Sequence, residues 1–482
     1  MESMDGGMFV GGQGRTPHSE RRIAVISPTT EETIGFAPDA DGVDVDSAVS
    51  AAREAFDDPR GWSGWSPSAR AECLRRFAEA LDARAPEVAR LVSAQNGMPI
   101  TLARKLEAVA PQILLRYYAG LIETFPFEEP RTSLAGGRTL VRREPLGVVA
   151  AIVPFNFPHS LAAYKYAPAL AAGCTVVVKP SPETALGSEL IAEAATGAGL
   201  PPGVINIVPG GRDTGVLLVE HAQVDKVSFT GSTAAGRAIG EACGRLIRPV
   251  TLELGGKSAA IILDDADLDP ATTGPLMFLN TLGNNGQICG LSTRILAPRS
   301  RYAEVLDLLE GMARALVIGD PLDPETQIGP LVTERQRERV EHYIREGRAE
   351  GARVVTGGRR PARPARGWFI EPTIFADVDN RSTIAREEIF GPVLAVIPYD
   401  DEEDAIRIAN DSPYGLGGSV WTQDDKRGID VARRVRTGMV KLNGAAVDLA
   451  APFGGVGDSG IGVELGPEGL TQYQRLQSVY VS

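Results

Sequence analysis

Apolar residues recur through the first 125 positions at the 3.6-residue spacing of amphipathic helices. This spacing predicts helices over residues 44–57, over 68–97 and over about 103–124. Pro86 indicates a break inside the second helix, and Gly97 marks its end. The amino-terminal quarter of the chain is therefore predicted to be largely helical.

The pattern then changes to alternating apolar and polar positions. Residues 125–145 (FPFEEPRTSLAGGRTLVRREP) carry two such segments around a Gly-Gly turn, which predicts a projecting β-hairpin. The last segment, LQSVYVS, also predicts a strand. Because exposed strand edges rarely stay bare, we predict that the hairpin and the terminal strand pair between subunits.

Buried strands and helices alternate after the hairpin. The apolar run LGVVAAIV at 146–153, ended by Pro154, predicts a strand buried on both faces. Further strands are predicted in TVVVKP, VINIVPG and VDKVSFTGS, and helices at about 159–171, in SELIAEAATGAGL and in TAAGRAIGEACGR. This order predicts a doubly wound parallel sheet, which binds its ligand at the carboxyl ends of its strands.

A second alternation begins after Gly255. Strands are predicted in AAIILDD, STRILAPRS, LAVIPYD, GLGGSVWT and MVKLN, and helices in TTGPLMFLNTLGNNG, RYAEVLDLLEGMARAL and TERQRERVEHYIREGRAEG. The chain is thus predicted to form a second α/β domain, joined to the first near LELGG.

Composition and charge narrow the possible functions. A length of 482 residues with 43% hydrophobic and 23% charged residues is typical of a globular protein of several domains. The formal charge of −13, without a basic cluster, argues against nucleic acid as a partner. No signal peptide is recognised at the amino terminus, and no apolar run is long enough for a membrane span. We therefore expect a soluble, cytoplasmic protein.

The cysteines are few and far apart. Cys73, Cys174, Cys243 and Cys289 form no CxxC pair, so neither a metal site nor a disulfide framework is predicted. Cys289 differs from an ordinary core cysteine, because it lies among small and polar residues in GNNGQICG. This setting indicates a thiol that opens on a cleft, and the alternative is a structural cysteine in a buried loop.

Two segments at predicted strand ends suit an anionic ligand. FTGSTAAG at 229–236 places glycines at a strand-to-helix turn, where backbone N–H groups and the helix dipole can hold a phosphate. The alternative is plain helix capping by Ser232. Lys179 in KPSPET follows another strand and suits a ribose or a phosphate, with a solvated lysine as the alternative.

Two further segments suit acid–base and oxyanion chemistry. Glu253 in LELGGK has apolar neighbours, which raise the pKa of a carboxyl group and make it a base near neutral pH. Its alternative role is an ion pair with an arginine. Asn156 in PFNFP has an amide that aromatic and proline neighbours would fix, so that it can stabilise an oxyanion. The alternative is a turn asparagine that binds local backbone.

In this order along the chain, the motifs resemble one family. PFNFP, KPSPET, FTGS, LELGGK, GQIC, EEIFGPVL, KLN and PFGG are similar to the NAD(P)-dependent aldehyde dehydrogenase superfamily, from about residue 8 to the carboxyl terminus. The resemblance implies an α/β fold in three parts. Residues 1–124 and 146–255 would form a Rossmann-like cofactor domain, 256–445 a catalytic α/β domain, and 125–145 with 466–482 a small β oligomerisation element.

The resemblance also implies roles for individual residues. Cys289 matches the nucleophile, Glu253 the general base, and Asn156 the side-chain donor of an oxyanion hole that the Cys289 N–H completes. Lys165 and Glu464 resemble a pair proposed to relay protons. No metal is implied.

The cofactor implied is NAD, with NADP as the alternative. The residues assigned to it are Pro154, Phe155, Lys179, Gly211, Gly231, Ser232, Gly236, Leu254, Gln336, Glu388 and Phe390. Lys179 would meet the adenosine ribose, the turn from Gly231 to Gly236 the pyrophosphate, and Glu388 with Phe390 the nicotinamide ribose and ring.

Two positions depart from the pattern of the family. Pro182 stands where NAD-preferring relatives often carry a glutamate, which weakens the electrostatic rejection of a 2′-phosphate. Glu183 follows it, and in an extended segment its side chain would point away from the ribose. Val463 replaces an arginine that many relatives have, and we have no account of its effect.

The sequence thus predicts a homodimer or homotetramer that oxidises a small-molecule aldehyde to the carboxylic acid. The reaction would run through a cysteine thiohemiacetal and a thioester, which water activated by Glu253 hydrolyses. The alternatives are a dehydrogenase that passes the acyl group to coenzyme A and a non-catalytic binding relative. Phe155, Tyr164, Phe278 and Leu291 indicate an apolar mouth.

Overall fold

A computed structural model describes residues 4–481 of the chain. Residues 1–3 and Ser482, at the outer ends of the predicted cofactor domain and terminal strand, lie outside the described residues. The longer helices in the described part span Gly42–Asp57, Pro67–Asp82, Ala85–Asn96, Ala110–Thr124, Pro158–Ala172, Thr233–Arg245, Tyr302–Ala315 and Glu334–Ala349. The shorter ones span Ile100–Lys105, Glu189–Gly197, Arg212–Glu220, Thr273–Thr281, Thr383–Arg386, Glu402–Asn410, Asp425–Ala432 and Gly466–Thr471.

An eight-stranded sheet occupies the first half of the fold. Its strands lie in the spatial order Gly460–Ile461, Val250–Glu253, Lys226–Thr230, Val148–Ile152, Thr175–Lys179, Ile205–Ile207, Met8–Val10 and Gln13–Arg15. The five central strands, from Val250–Glu253 to Ile205–Ile207, are parallel to one another. Helices cover both faces of such a sheet, which explains why Val148–Ile152 is apolar without alternation.

The helix Pro158–Ala172 lies against this sheet and is buried along almost its whole length. It is rich in alanine, so neighbouring elements can approach it from all sides. Two amphipathic helices, Pro67–Asp82 and Ala110–Thr124, pack beside it and complete one hydrophobic core with the sheet. The core therefore holds this helix, which carries Lys165, in a fixed position.

A seven-stranded sheet forms the second half of the fold. Its strands lie in the order Arg353–Thr356, Thr373–Ala376, Val393–Tyr399, Arg294–Pro298, Ala259–Ile262, Gly418–Trp421 and Lys441–Leu442. All neighbouring pairs are parallel except the first, which is antiparallel. The short stretch from Glu253 to Ala259 links the two sheets.

The predicted hairpin is present and belongs to a separate antiparallel sheet. Glu128–Thr132 pairs with Arg138–Pro145, which in turn pairs with the terminal strand Gln474–Val481. The prediction that the hairpin and the terminal strand pair between subunits is wrong, since the two pair with each other within one chain. In this sheet Arg138–Pro145 is the central strand, and Glu128–Thr132 and Gln474–Val481 are the two edge strands.

Near the amino terminus the elements differ from the prediction in two ways. The helix expected over about 103–124 is divided into Ile100–Lys105 and Ala110–Thr124, because Pro111 suits a first helical turn and not a helix interior. Met4–Asp5, Thr33–Pro38 and Arg22–Ile26 form a small sheet that was not predicted. Between residues 4 and 481, every helix is either too short or too polar to traverse a bilayer.

Candidate active site

Four parallel strands of the eight-stranded sheet end at the same edge. Val148–Ile152 leads to Asn156, Thr175–Lys179 ends at Lys179, Lys226–Thr230 leads to Ser232, and Val250–Glu253 ends at Glu253. Loops from the seven-stranded sheet reach this edge and bring Cys289 and Glu388 to it.

The loop before Cys289 has an unusual backbone. Asn284, Asn285 and Gly286 take φ values of 50°, 60° and 76°, in the left-handed region that costs ordinary residues about 1–2 kcal/mol each. Buried hydrogen bonds from the Asn285 side chain offset this cost. Its amide donates to the carbonyls of Gly97 (2.8 Å) and Pro330 (3.0 Å), and its oxygen accepts from Gly329 N (2.6 Å). The loop is therefore held in one shape.

Cys289 is half-buried, whereas Cys73, Cys174 and Cys243 are buried. A Cβ on Gly256 would come within 2.6 Å of the Cys289 carbonyl oxygen, so glycine is required at that position. Desolvation, together with the negative charges of Glu388 and Glu253, raises the pKa of the Cys289 thiol to about 12. Without a ligand, the thiol is therefore protonated at neutral pH.

Asn156 is buried beside this loop. Its side-chain amide donates to the Gln287 carbonyl at 2.9 Å. Its backbone carbonyl accepts from the side chains of Asn96 (3.3 Å) and Asn284 (3.1 Å), two residues that the sequence analysis missed. Polar side chains inside the apolar pattern of Ala85–Asn96 were the available signal. The amide of Asn156 is therefore fixed next to Cys289, not in a local turn.

Glu253 is buried, and neither of its carboxylate oxygens has a hydrogen-bond partner among residues 4–481. The arginine partner considered as an alternative is therefore not found in the described part of the chain. Burial raises the pKa of Glu253 well above its ordinary value, and the carboxylate of Glu464 raises it further, while Lys165 lowers it. Such a group can act as a base near neutral pH.

Lys165 and Glu464 form a buried ion pair behind Glu253. Lys165 Nζ lies 2.5 Å from Glu464 Oε1 and 2.6 Å from Thr230 Oγ1, and the side chains of the pair are 0% and 1% exposed. Backbone hydrogen bonds in both directions between Phe453 and Glu464, each of 2.7 Å, fix the glutamate. The structure thus brings together all five residues that were predicted to be catalytic.

Apolar side chains share the packing environment of Cys289. Tyr164 and Phe453 meet edge to face with ring centroids 6.1 Å apart. Phe453 belongs to the core against which the half-buried Cys289, Tyr164, Tyr117, Met439 and Leu449 all pack. One expected mouth residue, Phe278, packs against the core of the seven-stranded sheet instead. Leu291 is buried and lines a small cavity together with Glu388 and Phe390.

On the opposite side of the thiol, Glu388 and Phe390 enter the site. Glu388 Oε1 accepts from Gly256 N at 3.0 Å, and Phe390 stands edge to face with Phe155 at 5.8 Å. Gln336 donates its side-chain amide to the carbonyls of Ile389 (3.3 Å) and Phe390 (2.9 Å). Gln336 therefore braces the segment that carries Phe390.

Lys179 lies at the far end of the same sheet edge. Its Nζ donates to the Pro180 carbonyl at 2.9 Å. Desolvation lowers the pKa of Lys179 to about 8, and the carboxylates of Glu183 and Asp39 oppose this shift. Pro182–Thr184 is a 3₁₀ turn and not an extended segment, so the expectation that Glu183 points away was wrong. The Glu183 carboxylate accepts from Ser181 Oγ at 2.5 Å and acts on the Lys179 ammonium.

The helix Thr233–Arg245 begins between Lys179 and Cys289. Ser232 caps it by accepting from Ala235 N, so the capping role holds. Gly236 is required by packing, since a Cβ there would come within 2.4 Å of the buried Leu254. Gly211 donates its N–H to Asp39 Oδ1 at 2.9 Å at the start of another helix. Pro154 stands two residues after the end of the strand Val148–Ile152.

These residues fit a dinucleotide. The Lys179 ammonium has three donors and makes one hydrogen bond to the protein. A helix N-terminus follows Gly231, and the Glu388 carboxylate is an acceptor. Anionic phosphates bind at helix N-termini, and hydroxyl groups suit a carboxylate. Lys179, Gly231 and Leu254 end or directly follow parallel strands of one sheet, so these predicted cofactor residues lie along the same edge.

The sequence analysis missed a further cation near the thiol. Lys441 is half-buried, and Met439, two residues earlier, touches Gly290. Burial lowers the pKa of Lys441, and the thiolate form of Cys289 opposes that shift. The sequence shows Lys441 only as part of the short motif KLN. Its position near the thiol depends on the pairing of the strand Lys441–Leu442 with Gly418–Trp421, which the local sequence does not encode.

Comparisons with known proteins agree with this site. The sequence model of the Aldehyde dehydrogenase family matches residues 15–479. Geranial dehydrogenase of Castellaniella defragrans is 55% identical over 474 residues, 98% of each chain. An aldehyde dehydrogenase of Mycobacterium tuberculosis complexed with NAD+ superposes with a TM-score of 0.97 at 47% identity, covering 100% of this chain and 99% of that one. Aldehyde dehydrogenase C of Pseudomonas syringae, a mutant complexed with NAD+ and octanal, has a TM-score of 0.94 at 40% identity, with 99% and 98% covered.

Proposed function

This chain belongs to the aldehyde dehydrogenase family, and we propose that Cys289, Asn156 and Glu253 carry its reaction. The protein is an NAD-dependent enzyme that oxidises an aldehyde to the carboxylic acid. The observation that supports the joint roles of Asn156 and Cys289 is the hydrogen bond of 2.9 Å from Asn156 to Gln287. It holds an amide donor against the loop that presents the thiol.

The first half of the proposed reaction forms a thioester. Glu253 takes the proton of the Cys289 thiol, and the sulfur attacks the aldehyde carbon to form a C–S bond. The second N–H of the Asn156 side chain and the Cys289 backbone N–H donate to the oxyanion that results. When bound, NAD would supply the acceptor for the hydride of this carbon, and the acyl group would stay on sulfur. Phe155, Glu388 and Phe390 would hold the nicotinamide end of NAD. Lys179 would bind its adenosine part, and the helix that Ser232 caps would bind its phosphates.

The second half hydrolyses the thioester. Glu253 takes a proton from water while the water oxygen attacks the acyl carbon and the C–S bond breaks. We assign Lys165 and Glu464 to carrying that proton away. Glu253 is the residue that supports hydrolysis over transfer to coenzyme A, because a raised pKa suits the activation of water. If added coenzyme A raised turnover and gave an acyl-CoA product, the acylating reaction would replace this proposal.

For the domains, we propose that residues 1–124 and 146–255 bind the cofactor and that 256–445 form the catalytic domain. The eight-stranded sheet and the seven-stranded sheet are the centres of these two parts. Residues 125–145 and 466–482 would serve oligomerisation, because the three-stranded sheet presents open edges. A homodimer or homotetramer would cover them.

We further propose that the substrate is an apolar aldehyde. Tyr164, Tyr117, Met439 and Leu449 pack with Cys289 against the core that contains Phe453, and a substrate space built from such side chains favours hydrocarbon over charged groups. Geranial dehydrogenase and the octanal-bound neighbour are named for apolar aldehydes.

A panel of aldehydes tests both the reaction and the substrate class. Geranial, octanal and benzaldehyde should give higher kcat/KM with NAD than the short, charged succinic semialdehyde, by roughly a hundredfold, or about 2.7 kcal/mol. Reduced cofactor is followed by absorbance, and the acid product by chromatography. A preference for the charged aldehyde would overturn the substrate class, and reduced cofactor without any acid would overturn the hydrolytic reaction.

A further inference from the structure

The strand Lys226–Thr230 carries three buried polar side chains on one face. Lys226, Ser228 and Thr230 alternate with apolar residues, so they point to the same side of the eight-stranded sheet. The neighbouring strand Val148–Ile152 is entirely apolar. A row of buried polar groups costs desolvation energy unless each group has a partner, so the partners of this row indicate its purpose.

Each of the three side chains has a partner. Lys226 Nζ donates to Thr251 Oγ1 at 2.8 Å, and Thr230 Oγ1 accepts from Lys165 Nζ at 2.6 Å. Ser228, between them, donates its hydroxyl to Glu464 Oε1 at 3.2 Å. The row therefore lies directly against the buried ion pair of Lys165 and Glu464.

The two carboxylate oxygens of Glu464 have unequal surroundings. Oε1 receives both hydrogen bonds, from Lys165 at 2.5 Å and from Ser228 at 3.2 Å. Oε2 is buried and has no partner among residues 4–481. A carboxylate that accepted from Lys165 alone would be free to exchange its two oxygens by rotation. The Ser228 hydroxyl fixes which oxygen stays in the ion pair.

Glu464 and Glu253 lie on either side of the same lysine contacts. Glu253 pairs in register with Thr230, and Lys165 Nζ donates to both Thr230 Oγ1 and Glu464 Oε1. The antiparallel bridge between Phe453 and Glu464 also places Gly454 opposite Val463, and a Cβ on Gly454 would lie 3.2 Å from Glu253 Oε1. Among residues 4–481, both oxygens of Glu253 and Oε2 of Glu464 are buried without a partner. Two buried carboxyl groups in one such region are suited to exchange a proton, because both cannot bear a full charge at low cost.

We propose that Ser228 is a positioning residue for the hydrolysis of the thioester. Its hydroxyl keeps Glu464 Oε1 on Lys165 and leaves Oε2 free to take the proton that Glu253 removes from water. The water oxygen forms the C–O bond, the C–S bond of Cys289 breaks, and the proton passes from Glu253 to Glu464 Oε2. This inference rests on the roles proposed above for Cys289 and Glu253.

An activated ester separates this step from hydride transfer. p-Nitrophenyl acetate acylates a reactive thiol without any cofactor, so a short pulse of it followed by gel filtration yields acetyl-enzyme. Intact mass spectrometry then follows the loss of the acetyl group with time. The comparison uses the wild type, Ser228→Ala and Thr175→Val. Thr175→Val is a matched control, because it removes a different buried hydroxyl of the same sheet, bonded to Ala52 O at 3.0 Å.

We expect Ser228→Ala to lose its acetyl group about tenfold more slowly than the wild type, or about 1.4 kcal/mol on the barrier. The acetylation rate and the thermal midpoint of Thr175→Val measure what the loss of a buried hydroxyl in this sheet does by itself. A deacetylation rate of Ser228→Ala within about threefold of the wild type overturns the proposal. Equal slowing in Thr175→Val overturns it as well, since a general loosening of the sheet would then explain the effect.

A second variant covers the case in which Ser228→Ala does not fold. Ser228→Cys keeps the size of the side chain and weakens its donor, so deacetylation should slow in the same direction by a smaller factor. Wild-type deacetylation in Ser228→Cys, when Ser228→Ala is unfolded, overturns the positioning role. Failure of the proposed function looks different, because Cys289→Ala would then still acquire the acetyl group at the site.

Discussion

The side-chain amide of Asn156 donates to the backbone carbonyl of Gln287 across 2.9 Å, two residues before Cys289. Gln287 is itself held in place by a hydrogen bond, since its side-chain oxygen accepts from Val332 N at 3.1 Å. The proposed oxyanion donor and the proposed nucleophile are therefore parts of one hydrogen-bonded unit. Any movement of the thiol carries the amide with it.

Replacement of the nucleophile should abolish oxidation. Cys289→Ala removes the thiol that forms the thioester, and the remaining cysteines are buried elsewhere. NAD binding, measured by calorimetry, should persist, and Cys243→Ala serves as a control with normal turnover. More than about a hundredth of wild-type turnover in Cys289→Ala would contradict covalent catalysis at this residue.

Replacement of the base should trap the thioester. Glu253→Gln keeps the shape of the side chain but cannot take a proton from water, so hydrolysis should slow by roughly a hundredfold or more. Intact mass after addition of aldehyde and NAD should then reveal an acyl-enzyme. Steady-state turnover equal to that of the wild type would show that another group activates the water.

The reactivity of Cys289 should depend steeply on pH. Burial raises the pKa of its thiol to about 12 in the enzyme without ligand, so the thiolate fraction grows about tenfold with each pH unit below that value. Alkylation by iodoacetamide should therefore accelerate from pH 7 to pH 10 without a plateau. At alkaline pH, where the Glu253 carboxyl group is ionised, Glu253→Gln should react faster, because a negative neighbour is removed.

Cys289→Ala, run in parallel, identifies the alkylated residue by its failure to gain mass. A plateau of the alkylation rate near pH 8 would show that the thiol has a much lower pKa than burial implies.

The choice between NAD and NADP should depend on Glu183. Its carboxylate, held by the 3₁₀ turn and by the hydrogen bond from Ser181, is near enough to raise the pKa of Lys179 by charge, so it should also oppose a 2′-phosphate there. Glu183→Gln should raise kcat/KM with NADP, relative to that with NAD, about tenfold, or about 1.4 kcal/mol. Glu220→Gln, an exposed glutamate on another helix, is the control. An unchanged cofactor ratio in Glu183→Gln would assign the discrimination to other residues.

The assembly should depend on the terminal strand. Leu476 and Tyr480 are 64% and 81% exposed on an edge strand, which is costly for a protein that stays monomeric. Light scattering at micromolar concentration should give a dimer or a dimer of dimers, and Tyr480→Glu should weaken it. Val43→Glu, at an exposed position far along the chain, should not. A monomeric mass for the wild type would contradict the oligomerisation role of this sheet.

The parts of the fold that were predicted correctly are those in which local pattern and tertiary packing agree. Strands such as Val148–Ile152 and Thr175–Lys179 are buried on both faces, so their sequences are continuously apolar. Arg212–Glu220 was missed because it is short, begins without a side-chain cap and contains Gly215. The length of Ile100–Lys105 was misjudged because the pattern continues across a break that Pro111 imposes.

The site was predicted as a set of residue types, and its contacts were not. Motif order located Cys289, Glu253 and Asn156, which the structure brings together. The hydrogen bonds of Asn96 and Asn284 to the Asn156 carbonyl join segments far apart in the chain, which no local pattern encodes. The orientation of Glu183 depends in the same way on a turn.

The rigid loop from Asn284 to Gly286 has a consequence for how such an enzyme can diverge. Its left-handed backbone and the buried bonds of Asn285 leave almost no acceptable replacement at these positions. Tyr117, Met439 and Leu449, which pack against the same core as Cys289, belong to segments outside that loop. Selection for a new aldehyde can therefore act on these side chains one at a time while the catalytic loop is inherited unchanged. A duplicated gene can thus acquire a new substrate range and keep its catalytic residues throughout.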